Sequence, residues 1–375
     1  MVRRIGVLTS GGDCPGLNPA IKWVVKTALD EQLADARGYD FEVVGIRDGW
    51  RGLVKYDPRY PVLPAETNFS GRHYARLLTE QEVRTWDRFG GTRLGTSRTE
   101  LFAAGQETWQ QVVANFRALE LDALIAIGGD DTLEITARLR DEAGLKVVCI
   151  PKTIDRDLPG TEYSLGFETA VGVIVQEIDR IRTTAYSHSR TFIIETMGRC
   201  TGHLALSGGL AGGADVILIP EVAFTTERIV EVLKAKQYAG QRYAIVVVSE
   251  GAREAASDSD SVSDHDCVGL TPIPGGIAKA IEKRIEQGTG GEVRSVVLSH
   301  LQRGGIPCAY DRRIAREFGI AAVQLLEEGR FGRMVSLQDG QISSIEIPRS
   351  VQYVVKVDVA QRYDAQNYNA RFSLV

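Results

Sequence analysis

Several large functional classes are excluded by what this sequence lacks. Its five cysteines, at positions 14, 149, 200, 267 and 308, make no CxxC pair and no metal-type spacing. Neither a disulfide framework nor a zinc site is expected, and a reducing compartment, the cytoplasm, is the default. No stretch reaches the roughly 18 to 20 apolar residues of a membrane helix. The opening "MVRRIGVLTSGG" has a charged start, but its apolar run is only a strand's length and a turn follows, which is not the pattern of a signal peptide. Positive charge is not in excess either. The formal net charge of -5 gives no general attraction to nucleic acid, so any anionic ligand must be met by local cations. Internal repeats and low-complexity linkers are absent from the pattern. What is present is ordinary for a soluble globular chain: 43% hydrophobic and 25% charged over 375 residues, long enough for two lobes with full cores.

Short apolar runs alternate with helical patterns: "RRIGVLTS", "FEVVGIRDG", "DALIAIGG", "KVVCIPKT", "TFIIETMG", "DVILIPE", "YAIVVVSEG" and "RSVVLSHLQ". Buried strands separated by helices imply parallel sheet and an α/β fold. In such sheets ligands sit at the carboxyl ends of strands, and here those turns are the unusual parts of the sequence. The one compositional shift, "REAASDSDSVSDHD" at 253–266, is small, polar and acidic and reads as a surface loop. Its Asp spacing lacks the central Gly and terminal Glu of a calcium loop.

The stretch "AIGGDDTLEITARL" (126–139) ends a strand in two glycines and two adjacent carboxylates, Asp130 and Asp131. Either one of them caps the following helix, or the pair serves a metal or a phosphate. In "TSGGDCPGLNPAIK", Gly11, Gly12 and Gly16 lie between strand and helix, where backbone N–H groups can approach an anion. This is neither GxGxxG nor GxxxxGK[ST], and by itself it reads as a phosphate loop or as a structural turn. Cys14 within it reads as a small filler rather than a nucleophile. "PKTIDRDLPG" places Asp155 and Asp157 two apart, pointing the same way if the segment is extended, with Lys152 just before them. A carboxylate near Lys152 or a metal would stay ionised and suit a base that accepts a hydroxyl proton; the alternative is a solvated charged turn. "ETMGRCTGHLALSGGLAGG" offers Gly198 for close approach and Arg199 as a fork for phosphate. "SHLQRGG" joins His300 and Arg303 in one turn. Glycine turns, cations and separated carboxylates are what phosphoryl transfer requires. Lys22, Lys26 and Arg182 read as solvated basic residues, with an effector pocket as the alternative.

With these residues in hand, the chain resembles the bacterial 6-phosphofructokinase family over most of its length. The segments that carry the resemblance are, in order, "GGDCPGLN", "GGTRLGTSR", "IGGDDT", "PKTIDRD", "SHSRTFIIETMGR", "VVSEG" and "VLSHLQRGG". One of them would say little; all of them in order are specific. The resemblance implies two doubly wound α/β lobes with mainly parallel sheets, 1–166 plus 302–350 binding the phosphoryl donor and 167–301 plus 351–375 the sugar phosphate, with the fructose 6-phosphate site between them. It also implies magnesium and a homodimer or homotetramer. By the same resemblance Asp155 is the base that takes the sugar hydroxyl proton, with Thr153 and Asp157 beside it, and Asp130 is the magnesium-linked carboxylate. Gly12 and Arg98 resemble groups that stabilise the transferred phosphoryl. Met197, Gly198, Arg199, Glu250, His300 and Arg303 resemble sugar-phosphate contacts, and Arg190 and Arg294 resemble arginines that reach the sugar's phosphate from a neighbouring subunit.

The chain departs from the family pattern at informative places. Arg156 stands where the family commonly has Asn, which leaves a seven-carbon acceptor, sedoheptulose 7-phosphate, as an alternative. Asp131 and Lys152 stand where ATP-using members typically carry Gly. Asp131 adds volume and negative charge against an α-phosphate, while Lys152 supplies a cation to the terminal phosphate of a shorter donor. Pyrophosphate is therefore the expected donor in a reversible glycolytic reaction, with ATP as the alternative. The chain also exceeds the shorter bacterial enzymes at 253–290 and in its tail. A non-catalytic sugar-phosphate sensor is the remaining alternative, and the presence of both Asp130 and Asp155 argues against it.

Overall fold

Strands built from unbroken Ile, Val and Leu must be covered on both faces, and the computed structural model of the chain meets that demand with two mainly parallel sheets flanked by helices. The structure describes residues 2–102, 108–255, 276–348 and 354–371. Among the described residues the strands are, in chain order, β1 (Val2–Thr9), β2 (Asp40–Ile46), β3 (Ala75–Leu77), β4 (Ala123–Gly128), β5 (Val147–Pro151), β6 (Thr191–Thr196), β7 (Val216–Leu218), β8 (Ala244–Ser249), β9 (Val293–Val297), β10 (Arg333–Gln338), β11 (Gln341–Glu346) and the short antiparallel pair β12 (Tyr363–Asp364) and β13 (Asn369–Ala370). The chain forms two compact units, one of Met1–Thr153, Leu158–Glu168 and Arg303–Gln352, the other of Ile154–Asp157, Thr169–Gln302 and Tyr353–Val375.

The first unit holds a sheet in the order β11-β10-β5-β4-β1-β2-β3. Its strands are parallel from β10 to β2, and the two edge strands β3 and β11 are antiparallel. β4 and β5 are buried at every residue, as their apolar runs require. The strand order reverses at β1, which has β2 on one side and β4 on the other, and an open α/β sheet binds its ligands at the carboxyl ends beside such a reversal. Every run read as a strand is a strand. The strands missing from that reading are β3, which is only three residues long, the hairpin β10–β11, and the two-residue strands β12 and β13. The hairpin turn is Asp339-Gly340, with φ of 50 and 70, the positive pair of a type I′ turn.

The second unit holds a parallel sheet in the order β7-β8-β6-β9. The glycines of the helix His203–Ala211 set how closely it packs. A Cβ on Gly208 would fall 2.6 Å from Ile174, and one on Gly209 would fall 2.8 Å from Ile217 of β7. From residue 256 onward the acidic run read as a surface loop lies outside the described residues. Among the described residues, no helix is long and apolar enough to cross a membrane.

Candidate active site

In the first unit, register brings three turns together. Thr9 of β1 pairs with Ile127 of β4, and Gly128 of β4 pairs with Pro151 of β5, so the turns beginning at Ser10, Gly129 and Lys152 emerge side by side. Backbone bonds lock them: Ser10 N–H donates to Ile127 O at 3.0 Å and Lys152 N–H to Gly128 O at 2.9 Å. Lys152 is only 4% exposed, and its ammonium donates to Gly12 O at 2.5 Å. Burying an ammonium is costly unless it is hydrogen-bonded, and the glycine turn supplies the acceptor. Thr132 Oγ1 is buried without a hydrogen-bond partner. A Cβ on Gly11 would sit 3.4 Å from Lys152 Nζ and 3.8 Å from that hydroxyl, so the bare side of Gly11 faces a cation and an unused hydroxyl.

A second loop is bonded to the same turn, and one arginine lies against it. Gly11 N–H donates to Ser97 O at 3.0 Å and Thr96 Oγ1 donates to Gly11 O at 2.7 Å, which anchors the loop ending at the exposed Arg98. Arg303 is 8% exposed and donates from Nη1 to Asp13 O at 3.2 Å. A Cβ on Gly12 would fall 2.5 Å from that Nη1; glycine there is what lets the guanidinium lie against the turn.

The helix Asp130–Ala143 has Gly129 at its N-cap and no side-chain capping bond, so neither Asp130 nor Asp131 plays the capping part that the sequence left open. Both lie in the first helical turn, where the macrodipole favours negative charge; Asp130 is half-buried and Asp131 exposed. Among the described residues no three His, Cys, Asp or Glu side chains gather into a metal-binding group. Magnesium is commonly held by one or two carboxylates together with substrate phosphates, and Asp130, half-buried in the first turn of the helix that follows Gly129, is a carboxylate of the kind that mode uses. Cys14 is buried, its thiol donating to Leu165 O at 3.2 Å. Burial pushes it up to about 12, so it is a packed, neutral thiol.

The chain leaves the first unit after Thr153, whose carbonyl accepts from Ser164 Oγ at 2.6 Å. Asp155 and Asp157 follow in the second unit, 3% and 6% exposed. The expectation of an extended segment aligning the two carboxylates is not met. Arg156 between them has φ 55, and the segment turns. Asp155 Oδ2 lies 3.9 Å from Arg199 Nε, and its carbonyl accepts from Thr201 Oγ1 at 3.3 Å.

Strand register builds the rest of this half. Thr196 pairs with Ser249 and Glu195 with Val297, so the turns carrying Met197–Arg199, Glu250 and His300 leave adjacent strands at the same end. Arg199 N–H donates to Glu250 Oε1 at 3.1 Å, and Met197 N–H donates to Gln302 Oε1 at 3.2 Å. Gly198 has φ 141, and a Cβ there would fall 2.5 Å from Thr201 O. His300 is exposed, its Nδ1 3.0 Å from Ser299 Oγ. Arg156, Arg199 and Ser299 all have positive φ, the kind of backbone strain that collects at functional sites. Arg190 and Arg294 are brought together on a carboxylate that the sequence reading did not nominate, Glu292, which the hydrogen bond from Arg190 holds below its usual range. Lys22 pairs with Asp87 at 2.8 Å and Lys26 with Glu80 at 3.8 Å, while Arg182 donates to Gly212 O and, at 3.3 Å, to the Tyr243 hydroxyl.

Sequence reasoning passed over Thr132, Ser164, Thr201, Gln302 and Glu292. Thr132, Thr201 and Gln302 lie inside quoted motifs, "IGGDDT", "ETMGRCTGHLALSGGLAGG" and "VLSHLQRGG"; Ser164 and Glu292 carry no signal outside the fold.

Two mainly parallel sheets whose strand ends present buried cations, carboxylates and bare glycine turns define a phosphoryl-transfer class of protein. Comparison with known proteins narrows this. The phosphofructokinase family model matches residues 4–326, and the chain belongs to that family. It is 42% identical over 362 residues to the pyrophosphate–fructose 6-phosphate 1-phosphotransferase of Streptomyces coelicolor, covering 95% of this chain and 97% of that protein. It is 40% identical over 357 residues to an ATP-dependent 6-phosphofructokinase of Spirochaeta thermophila, covering 92% of this chain and 90% of that protein. Among solved structures, the pyrophosphate-dependent phosphofructokinase of Nitrosospira multiformis matches with a TM-score of 0.78 over 99% of this chain and 89% of that one. At 18% identity that likeness concerns the fold alone.

Proposed function

We propose that this enzyme transfers a phosphoryl group from pyrophosphate to the 1-hydroxyl of fructose 6-phosphate, reversibly and in the cytoplasm, giving fructose 1,6-bisphosphate and phosphate. The observation that carries the choice of donor is the placement of Lys152, 4% exposed with its ammonium against Gly12 O, and of Asp131 in the first turn of the next helix. An ammonium fixed beneath a glycine turn suits the compact charge of a short donor. A carboxylate at the helix start opposes the α-phosphate of a nucleotide.

In this reading the glycine turn, cations and hydroxyl of the first unit hold the donor: Gly12, Lys152, Arg98 and Thr132. Asp130 would hold magnesium, which when bound neutralises charge on the donor's phosphates. Asp155 accepts the proton of the 1-hydroxyl as its oxygen attacks the terminal phosphorus and phosphate departs, with Thr153 and Asp157 shaping the turn around it. Met197, Gly198, Arg199, Glu250, His300 and Arg303 hold the sugar phosphate. Arg190 and Arg294, oriented by Glu292, reach the sugar phosphate of a neighbouring subunit in a homodimer or homotetramer.

The test is kcat/KM for pyrophosphate and for ATP, in the native chain and in the Asp131→Gly, Lys152→Gly double variant. Pyrophosphate is expected to be preferred by the native chain and to lose that preference in the variant. Native preference for ATP would overturn the assignment; an unchanged preference in the variant would overturn its proposed cause.

A further inference from the structure

The first unit contains a cavity of about 720 Å³, within the roughly 300–1,000 Å³ of small-molecule clefts, and none of its lining residues has a part in the reaction above. It is built by strand alternation at β3. Ala75 and Leu77 pack on the hydrophobic core, so Arg76 between them points to the opposite face, where it is 5% exposed. Its guanidinium pairs with Glu82, donates to Thr67 O at 2.8 Å and lies 4.9 Å from the Phe69 ring and 5.8 Å from the Trp86 ring. Yet this buried pair is incomplete. Arg76 Nε and Glu82 Oε2 are both buried and neither has a hydrogen-bond partner. Leaving such groups unsatisfied is costly, and a native structure that does so invites a ligand or ordered water.

The rim repeats the pattern of the floor. Arg93 and Glu66 are both exposed at the mouth, and among the described residues neither makes an ion pair. Glu66 is held at φ 62, a strained conformation for a residue other than glycine. Counting Arg47 and Asp48 as well, the lining carries three cations and three carboxylates. A phosphate or a polycarboxylate would find no surplus of positive charge here. A ligand with one group of each sign on neighbouring atoms would satisfy donor and acceptor together, and the Phe69 and Trp86 faces would take an apolar side chain.

We propose that this cavity binds a free zwitterionic metabolite of the α-amino-acid class, with its carboxylate on Arg76 and Arg93, its ammonium on Glu82 and Glu66, and an apolar or aromatic side chain between Phe69 and Trp86. Calorimetric titration of the full chain with phenylalanine and with leucine tests it, alongside N-acetylphenylalanine, phenethylamine and inorganic phosphate. At least one of the two amino acids should bind in the millimolar range or tighter. Removing either charge of the ligand should weaken binding by about tenfold or more, the value of a charged hydrogen bond. Arg93→Ala, at an exposed position that leaves the core intact, should weaken it likewise, as should Glu82→Gln. The proposal is overturned if neither amino acid binds at millimolar concentration, if N-acetylphenylalanine or phosphate binds as well as the zwitterion, or if Arg93→Ala leaves the affinity unchanged.

Discussion

Replacing Gly12 by alanine tests how the glycine turn and Arg303 depend on each other. Gly12 has no positive φ, so its backbone accepts a side chain and the cost falls on what the new methyl meets. That is Arg303 Nη1, 2.5 Å from the Cβ position, where ordinary contact begins at 3.4 Å. The guanidinium must therefore retreat by about 0.9 Å from the turn it lies against. A displacement of about 1 Å in a substrate-positioning group costs on the order of 100-fold in rate, or about 2.7 kcal/mol at about 1.36 kcal/mol per factor of ten. The assay is kcat/KM with fructose 6-phosphate in a double-mutant cycle of Gly12→Ala and Arg303→Ala. If the methyl acts through Arg303, adding it to Arg303→Ala costs almost nothing, and the coupling energy approaches the whole of the single-mutant loss. Losses that add to within about 0.5 kcal/mol, as they do for independent sites, would refute the reasoning and assign the damage to the donor turn itself.

Other positions give sharp outcomes as well. A Cβ on Gly251 would fall 1.8 Å from the backbone oxygen of Arg199, which cannot swing aside as a side chain can. Gly251→Ala should therefore raise KM for fructose 6-phosphate more than it lowers kcat, and an unchanged KM would break the link between the two turns. His203 is 7% exposed with Nε2 2.9 Å from Val355 O, and burial lowers its pKa from 6.5 to about 4. Between those values the unfolded chain binds more protons than the folded one. The stability present above pH 6.5 should then fall as pH drops towards 4, by up to about 3 kcal/mol at about 1.36 kcal/mol per pKa unit. Urea unfolding of the native chain and of His203→Asn across this range should show a steeper acid loss in the native chain; equal slopes would clear His203 of the effect.

Legibility differed from element to element for physical reasons. β4 reads as a strand because "ALIAIG" is unbroken apolar sequence, as burial on both faces demands. β10 escaped because Arg333, Ser336 and Gln338 break its apolar run although Met334–Leu337 are buried, and β11 because Gln341, Ser343 and Glu346 stand at its exposed positions, although Asp339-Gly340 between them is a strong hairpin signal. The Asp155–Asp157 segment was misread for a different cause. Strand alternation was assumed across Arg156, and no local rule foretells a left-handed arginine.

The residue types that phosphoryl transfer needs, and their order along the chain, are properties of the sequence: Gly11, Gly12, Asp130, Lys152, Asp155, Arg199 and Arg303 could be nominated from it because each chemistry demands a particular functional group at a strand end. Which ends adjoin is another matter. β1, β4 and β5 begin more than a hundred positions apart in places, and their order and register follow from the packing of helices and side chains drawn from the whole unit. Only that packing decided that Lys152, readable as a surface cation, is buried beneath Gly12, that Arg190 and Arg294 share Glu292, and that Arg76 and Glu82 leave a donor and an acceptor open in a cavity. Burial and pairing are relations between distant segments, and a linear chain holds them only through the fold.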